Sequence, residues 1–204
     1  MKHSEGRELR FFENPITIAH RDGDGDQPKN IVTGYAAVFG QLSRTIGWFR
    51  EKIDPKAFEG RLQDDVVALF NHDMNLVLAR TISNTLTLSV DETGLKYEFN
   101  APDTTAGRDL LVSLKRGDVK HSSFSFTVAE DNWEEDEDGN EIRTILKVKR
   151  LYDVSPVVQP AYPQTSVDAA KRSYDEWKKE TDKAQYDDLK DLESELAHRK
   201  LLIT

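Results

Sequence analysis

The sequence predicts a mostly β fold of the α+β class, with a β-barrel-like core, peripheral helices and a long C-terminal helix. Three observations support this prediction. Residues 31–163 are rich in β-branched and aromatic side chains and contain many short apolar runs. A single capped helical segment, at 104–117, interrupts those runs. Residues 164–204 are highly charged and contain neither glycine nor proline, as expected of a long solvated helix.

The strands are predicted from short apolar runs that end at charged residues, glycine or proline. Residues 95–99, for example, alternate with period two and follow a turn at 91–94. The acidic stretch around 136–140 predicts the tip of a hairpin between the strands that flank it. The predicted strands are 31–39, 65–70, 76–79, 86–90, 95–99, 121–128, 142–148 and 151–158.

Two helices are predicted. Thr104 or Thr105 is a suitable N-cap for a helix that ends at Gly117. The second helix starts with Thr165 or Ser166 as its N-cap and fills the charged tail. Its apolar side chains predict either docking on a partner helix or a solvated, partly frayed helix. They form two stripes with a polar stretch between them: Ala170, Tyr174 and Trp177, then Leu189, Leu192 and Leu196.

The composition divides the chain into three parts and excludes several kinds of partner. We predict a polar N-terminal segment at 1–30, one globular domain at 31–165 and a charged helical extension at 166–204. The net charge of −9 argues against nucleic acid as the main partner. No apolar run approaches the roughly 18 residues of a membrane span. We therefore expect a soluble protein with no membrane and no nucleic-acid partner.

No cofactor or metal site is predicted. The chain has no cysteine, which excludes thiol catalysis and thiolate-rich metal sites. The acidic loop at 22–26 resembles the start of a calcium loop, but Gln27 replaces the required glycine and Thr33 the closing glutamate.

Three segments carry the residue types of an activated serine nucleophile, in the order His72, Ser123, Asp153. His72 lies just after a predicted buried apolar run, and Asp153 lies in an apolar strand where a carboxylate needs a partner. Strand alternation puts Ser122 on the aromatic core face, and Ser123 and Ser125 on the opposite face. By pattern alone, a solvent-facing serine strand and a surface loop histidine are the commoner explanation of these residues.

Several segments in chain order carry a family resemblance. They include Gly-Tyr-Ala-Ala-Val-Phe-Gly at 34–40, Phe-Asn-His-Asp at 70–73, Ser-Phe-Ser-Phe at 123–126 and Asp-Val-Ser-Pro-Val-Val-Gln-Pro-Ala-Tyr-Pro at 153–163. Together with 78–80, 94–97 and 116–119, these segments resemble the HK97-type prohead proteases of tailed bacteriophages. Each segment alone is weak or moderate evidence, whereas all of them in this order are specific.

The resemblance implies an endopeptidase of capsid maturation that acts in the host cytoplasm, inside the procapsid, and is absent or degraded in the mature virion. Its expected substrates are the scaffolding segment of the major capsid protein or a separate scaffold protein, and the protease itself. The family is similar in fold to herpesvirus assembly proteases, which have a β-barrel core surrounded by helices. By the same analogy, a weak homodimer is expected.

The resemblance also assigns site residues. The family histidine falls on His72 and the family serine on Ser123. The family usually reads Met-Ser-Phe-Gly-Phe around that serine, so Ser122 replaces the methionine and Ser125 the glycine.

The third catalytic residue stays open between three positions. Asp153 occupies the place of a family glutamate and is one methylene shorter, while Asp73 and His121 are the alternatives. Candidate donors for the oxyanion of the reaction intermediate are Arg80, Arg116 and the loop amides near Gly117.

The main alternative function is a non-catalytic capsid-assembly or scaffolding protein. The acidic charge and the long C-terminal helix of this chain would suit that role. A scaffold of this type is usually dominated by helix, however, whereas residues 31–163 predict mostly strand.

Overall fold

In the computed structural model, residues 6–12, 15–21, 29–158 and 164–201 are described. Among these residues no helix is both long and apolar enough to cross a membrane. The described residues form ten strands and two helices in the order β1 (Glu8–Phe12), β2 (Thr17–Arg21), β3 (Lys29–Val38), β4 (Arg50–Ile53), β5 (Val67–Leu69), β6 (Val77–Arg80), β7 (Leu86–Val90), β8 (Gly94–Asn100), α1 (Thr105–Arg116), β9 (His121–Glu135), β10 (Glu141–Val157) and α2 (Gln164–Leu201).

The strands form two sheets. The first has the order β1-β9-β10-β5-β6, and β4 pairs with the N-terminal part of β10. The second has the order β2-β3-β8-β7. Over the described residues both sheets end in edge strands and do not close into one hydrogen-bonded barrel. The mostly β prediction is therefore confirmed, whereas the predicted barrel core is not.

Most predicted strands are present, with shifted ends. The strands predicted at 142–148 and 151–158 are one long strand, β10, whose pairing with β9 is interrupted by bulges. The hairpin tip at 136–140 is confirmed. Strands β1, β2 and β4 were not predicted, because they are only four or five residues long, mix apolar with polar or charged residues and lack the apolar runs on which the prediction relied. The calcium-like loop at 22–26 lies outside the described residues.

The first helix has the predicted caps. The Thr104 side chain accepts a hydrogen bond from the Gly107 backbone N–H at 3.2 Å. At the other end, Gly117 adopts a left-handed conformation with φ of 80°, and its N–H donates to the Leu114 carbonyl. Both caps are local interactions within a few residues, which is why the sequence pattern predicted them well.

The main core lies between the two sheets. Phe124 and Phe126 of β9 stack at 4.6 Å between ring centroids and are fully buried. On the same face, the Ser122 hydroxyl hydrogen-bonds the buried Tyr97 hydroxyl at 2.9 Å. Burial raises the pKa of Tyr97, so its phenol stays protonated. Ser122 is thus a core residue, as strand alternation predicted.

Gly34 is expected to tolerate no side chain. It lies directly opposite Tyr97 across β3 and β8, and a Cβ there would overlap the Tyr97 hydroxyl and ring. We expect Gly34→Ala to lower the free energy of unfolding by about 1–3 kcal/mol, measured by urea denaturation. Tyr97→Phe removes the nearest atom, so the double variant should lose less than the sum of the single losses. If the loss in the double variant equalled the sum of the two single losses, a clash between residue 34 and the Tyr97 hydroxyl would not be the cause.

A buried ion network joins β1 to its neighbours. The side chains of Glu8, Arg10, Glu51 and Arg143 are each only 2% exposed. Arg10 bonds Glu51 at 2.6 Å and Glu8 at 2.5 Å, while Arg143 bonds Glu8 at 2.7 Å. These four charges balance, which offsets the cost of burying them. The network therefore holds β1 against β4 and β10.

The network predicts acid sensitivity. Burial, the largest influence, raises the pKa of Glu8, but the charges and hydrogen bonds of Arg10 and Arg143 outweigh it and hold the pKa below the ordinary 4.5. Because the folded-state pKa is lowered, the stability that Glu8 contributes is present above pH 4.5 and is lost as the pH falls through the folded-state value.

We therefore expect Glu8→Gln to cost about 3–5 kcal/mol at neutral pH, because Arg10 and Arg143 keep buried charge with less compensation. The variant should also lose less stability than the wild type on acidification. Denaturation at neutral and acidic pH checks this, with the exposed Glu59→Gln as a matched control. Equal losses for the two variants at neutral pH would contradict the role of the network.

The first half of α2 packs on the hairpin of β9 and β10. The Trp133 ring lies 5.1 Å from Phe49 and 5.1 Å from Tyr174, between ring centroids. The first apolar stripe thus packs against a small second core, with Ala170 buried and Tyr174 and Trp177 partly buried. In the second stripe, Leu189 and Leu192 are 65% and 59% exposed. The helix already includes Gln164, so it begins before both predicted caps. The Leu196 side chain lies outside the described part.

Candidate functional site

Three neighbouring elements of the first sheet converge at the candidate site. The C-terminal part of β10 lies in the middle, with β9 antiparallel on one side and β5 parallel on the other. Across β9 and β10, Ser123 is opposite Ser155 and Ser125 is opposite Asp153. Asp153 also pairs with the start of β5, the strand that leads to His72. The topology thus brings all three predicted site residues to one place.

A strained turn at 70–73 positions the imidazole. Asn71 and His72 have φ values of 55° and 58°, and the turn has the positive φ at both central residues that a type I′ turn requires. Such a conformation is unfavourable for residues other than glycine and is frequent at functional sites. The Asn71 N–H donates to the Pro156 carbonyl at 3.0 Å, and its side chain accepts from the Val158 N–H at 2.9 Å. These bonds hold His72 over the end of β10.

The three side chains form a hydrogen-bonded series. His72 Nε2 lies 2.6 Å from Ser123 Oγ, and His72 Nδ1 lies 2.5 Å from Asp153 Oδ1. Since an ionised carboxylate only accepts, Nδ1 carries the proton and Nε2 is free to accept one from the serine. The hydroxyl of Ser155, which is not among the predicted site residues, also donates to Asp153 Oδ1 at 3.0 Å.

Asp153 is ionised although it is buried. Burial is the largest influence and raises its pKa, but the hydrogen bond and charge of His72, the charge of Arg7 and the Ser155 hydroxyl together lower the pKa below the ordinary 3.8. The carboxylate is 2% exposed, while the His72 side chain is 23% exposed. A fixed negative charge behind the imidazole stabilises its protonated form.

Strand β1 lies directly beside the candidate nucleophile. Phe11 is paired opposite Ser123, and Ser123 Oγ lies 2.9 Å from the Arg10 carbonyl oxygen. The serine has one hydroxyl proton and two acceptors in reach, the Arg10 carbonyl and His72 Nε2. Of these two bonds, only the one to His72 would activate the oxygen as a nucleophile.

The serine face of β9 is covered. Ser123 is 5% exposed and Ser125 is fully buried, so the prediction of a solvent-facing serine strand is wrong. The Ser125 hydroxyl accepts a hydrogen bond from Arg7 Nε. Arg7 precedes β1 and lies over a hundred positions from Ser125 along the chain, so no local pattern could reveal it.

The other candidates from the sequence have different surroundings. The Asp73 carboxylate accepts from the Asn75 backbone N–H at 2.8 Å and stabilises the turn. His121 lies at the start of β9, and its buried Nδ1 has no hydrogen-bond partner among the described residues. The three oxyanion candidates bond elsewhere: Arg80 to Asp65, Arg116 to Asp118 and the Gly117 N–H to Leu114.

A hydroxyl, an imidazole and a carboxylate in hydrogen-bonded series are the arrangement of a serine hydrolase. The chain belongs to the caudovirus prohead serine protease family, whose profile matches residues 16–180. The predictions of this family and of a serine protease are thereby confirmed. Among curated proteins, none matches the chain. A solved structure, the bacteriophage T4 capsid assembly protease, aligns with 11% sequence identity and a TM-score of 0.49, over 76% of this chain and 99% of that one.

Proposed function

We propose that this protein is a prohead maturation endopeptidase in which Ser123 is the nucleophile, His72 the general base and Asp153 the orienting carboxylate. The observation that carries the proposal is the series of bonds from Ser123 through His72 to Asp153, in a chain of a serine protease family. Asp73 and His121 are not proposed as the third residue, since in the described part of the chain neither is hydrogen-bonded to His72, whereas Asp153 is.

The chemistry follows from the positions of the protons. As Ser123 Oγ attacks the carbonyl carbon of the scissile peptide, its proton moves to His72 Nε2. Asp153 holds the Nδ1 proton in place and stabilises the resulting imidazolium. The imidazolium then gives a proton to the leaving amine, which leaves an acyl group on Ser123. Water, deprotonated by His72, then attacks the acyl carbon. The bond between that carbon and Ser123 Oγ breaks, the carboxylic product leaves, and His72 returns the proton to Oγ.

The burial of the three residues supports one direction of substrate approach. The imidazole of His72 is the most exposed member. Ser123 lies between β1 and β10, Asp153 lies between β9 and β5, and both are nearly enclosed. A peptide therefore reaches Ser123 from the side on which His72 is exposed. An extended, flexible peptide suits such a restricted approach better than a folded domain does.

We propose that the substrates are the scaffolding segment of the major capsid protein or a separate scaffold protein, and the protease chain itself, cleaved inside the procapsid in the host cytoplasm. The support is membership of a prohead protease family, since a prohead is the immature shell that still contains scaffold. Self-cleavage would then remove the protease before the virion matures.

The test is co-expression of the full chain with the major capsid protein from the same phage, followed by intact mass spectrometry of the capsid protein. The control is the full-length Ser123→Ala variant. We expect an N-terminally truncated capsid protein with the wild type alone, and the mass gives the cleavage site. Truncation with both variants would contradict the role of Ser123. An intact capsid protein in assembled wild-type shells would exclude the capsid protein as the substrate, and an intact scaffold protein in the same shells would contradict the proposal as a whole.

A further inference from the structure

Arg7 makes three contacts around the proposed orienting carboxylate. Its Nη2 lies 2.5 Å from Asp153 Oδ2, and its Nε donates to the Ser125 hydroxyl. Its guanidinium also lies over the Tyr152 ring, 4.7 Å from the centroid. The residue precedes β1 and lies outside residues 16–180, the part that matches the family profile.

The two oxygens of Asp153 have different partners. Oδ1 accepts from His72 and Ser155, while Oδ2 pairs with Arg7. A carboxylate held at one oxygen only can rotate about its Cβ–Cγ bond, which would change the direction of its bond to His72. With both oxygens bonded, the carboxylate plane has one orientation. The planar guanidinium is well suited to this because its N–H groups point in set directions.

The charge of Arg7 acts on the same group. The Asp153 side chain is 2% exposed and that of Arg7 is 31% exposed, so the pair is only partly screened by water. A buried carboxylate is costly without a cation. The guanidinium of Arg7 is always charged, so it compensates Asp153 whether or not His72 carries the serine proton.

We propose that Arg7 is a positioning residue of the active site, which fixes the orientation of Asp153 and thereby that of His72. This inference rests on the proposed function of Ser123, His72 and Asp153. Arg7 acts through Asp153, while the bonds of the nucleophile itself go to His72 and Arg10. The proteolytic site is therefore completed by a residue from the beginning of the chain, ahead of the part that matches the family.

A matched control is available in Arg150. Its guanidinium also lies over the Tyr152 ring, at 4.9 Å from the centroid, but its described contact is with the ring and not with Asp153. Arg150→Gln therefore removes the same charge and the same kind of ring contact as Arg7→Gln. It leaves both oxygens of Asp153 bonded.

The experiment measures covalent labelling of Ser123 in the full-length chain by a fluorophosphonate, followed by intact mass. The labelling rate constant and the apparent affinity for the reagent are obtained separately from its concentration dependence. We expect Arg7→Gln to lower the rate constant about 10–100-fold with little change in affinity, as for a misplaced catalytic group. Arg7→Lys should recover part of the rate, and Arg150→Gln should keep it within about two-fold.

Thermal denaturation separates positioning from folding. A structural role alone predicts that Arg7→Gln lowers the melting temperature and leaves the labelling rate of the folded protein unchanged, which would overturn the inference. An equal rate loss in Arg150→Gln would also overturn it. If the wild type labels at a residue other than Ser123, or does not label, the proposed function itself fails and the role of Arg7 fails with it.

Discussion

Replacing Ser123 by alanine is expected to reduce peptide cleavage by about 10⁴-fold or more while the fold stays intact. The substitution removes one oxygen atom, which accounts for both the attacking group and the proton donor to His72 Nε2. The backbone of β9 keeps its pairing with β1 and β10 on both sides. Cleavage of the capsid protein and the melting temperature together measure this outcome.

The neighbouring Ser122→Ala provides the matched control for that experiment. It makes the same substitution one residue earlier in β9, on the face that bonds the Tyr97 hydroxyl in the core. We expect it to cost some stability, because a buried phenol loses its partner, and to keep its cleavage rate. Loss of cleavage in Ser122→Ala with retention in Ser123→Ala would exchange the two roles and reject the proposed nucleophile.

Asp153→Asn is expected to lower the catalytic rate constant by about 10⁴-fold with little change in volume. An amide at this position can donate to His72 Nδ1, which favours the tautomer that carries its proton on Nε2. That tautomer cannot accept the proton of Ser123. Single-turnover cleavage by the purified variant measures the effect on the chemical step.

Asp73→Asn is the control for this second experiment, since it changes the other carboxylate near His72. Asp73 bonds Asn75 within the turn, so we expect its variant to cleave nearly as fast as the wild type. A larger loss in Asp73→Asn than in Asp153→Asn would reassign the third catalytic residue.

Asp153→Asn is also expected to change how the stability of the protein depends on pH. Because the pKa of Asp153 is lowered in the folded protein, its ionised form stabilises the fold above the ordinary value of 3.8, and this contribution is lost as the pH falls through the folded-state value. Asp153→Asn should therefore show a weaker decline of stability below pH 3.8 than the wild type. If the free energy of unfolding of the wild type and of the variant fell equally with pH, the assignment of Asp153 as an ionised group would be contradicted.

The features predictable from the sequence are those determined by near neighbours. Helix α1 was predicted with its caps because Thr104 and Gly117 act within one helical turn. The hairpin tip was predicted because its acidic and glycine residues form a local turn. Ser155 could have been found too, since it lies two residues after Asp153 and strand alternation puts both on one face.

The missed features depend on residues far apart in the chain. Strand β1 contains Glu8 and Arg10, which look like surface residues until Glu51 and Arg143 are placed beside them. Ser125 likewise accepts a hydrogen bond from Arg7, which no periodicity in the sequence connects to it. The barrel was inferred from the number of short strands, but strand number alone does not determine whether the sheets close.

The separations between the site residues have a consequence for synthesis of the chain. His72 bonds partners 51 and 81 positions later, and Arg7 pairs with a carboxylate 146 positions later. Contacts of such long range form late in folding because long loops must close first. A nascent chain that has not yet emerged as far as β10 lacks the orienting carboxylate. By the proposed mechanism, proteolysis can therefore begin only after β10 has been synthesised and has paired with β9.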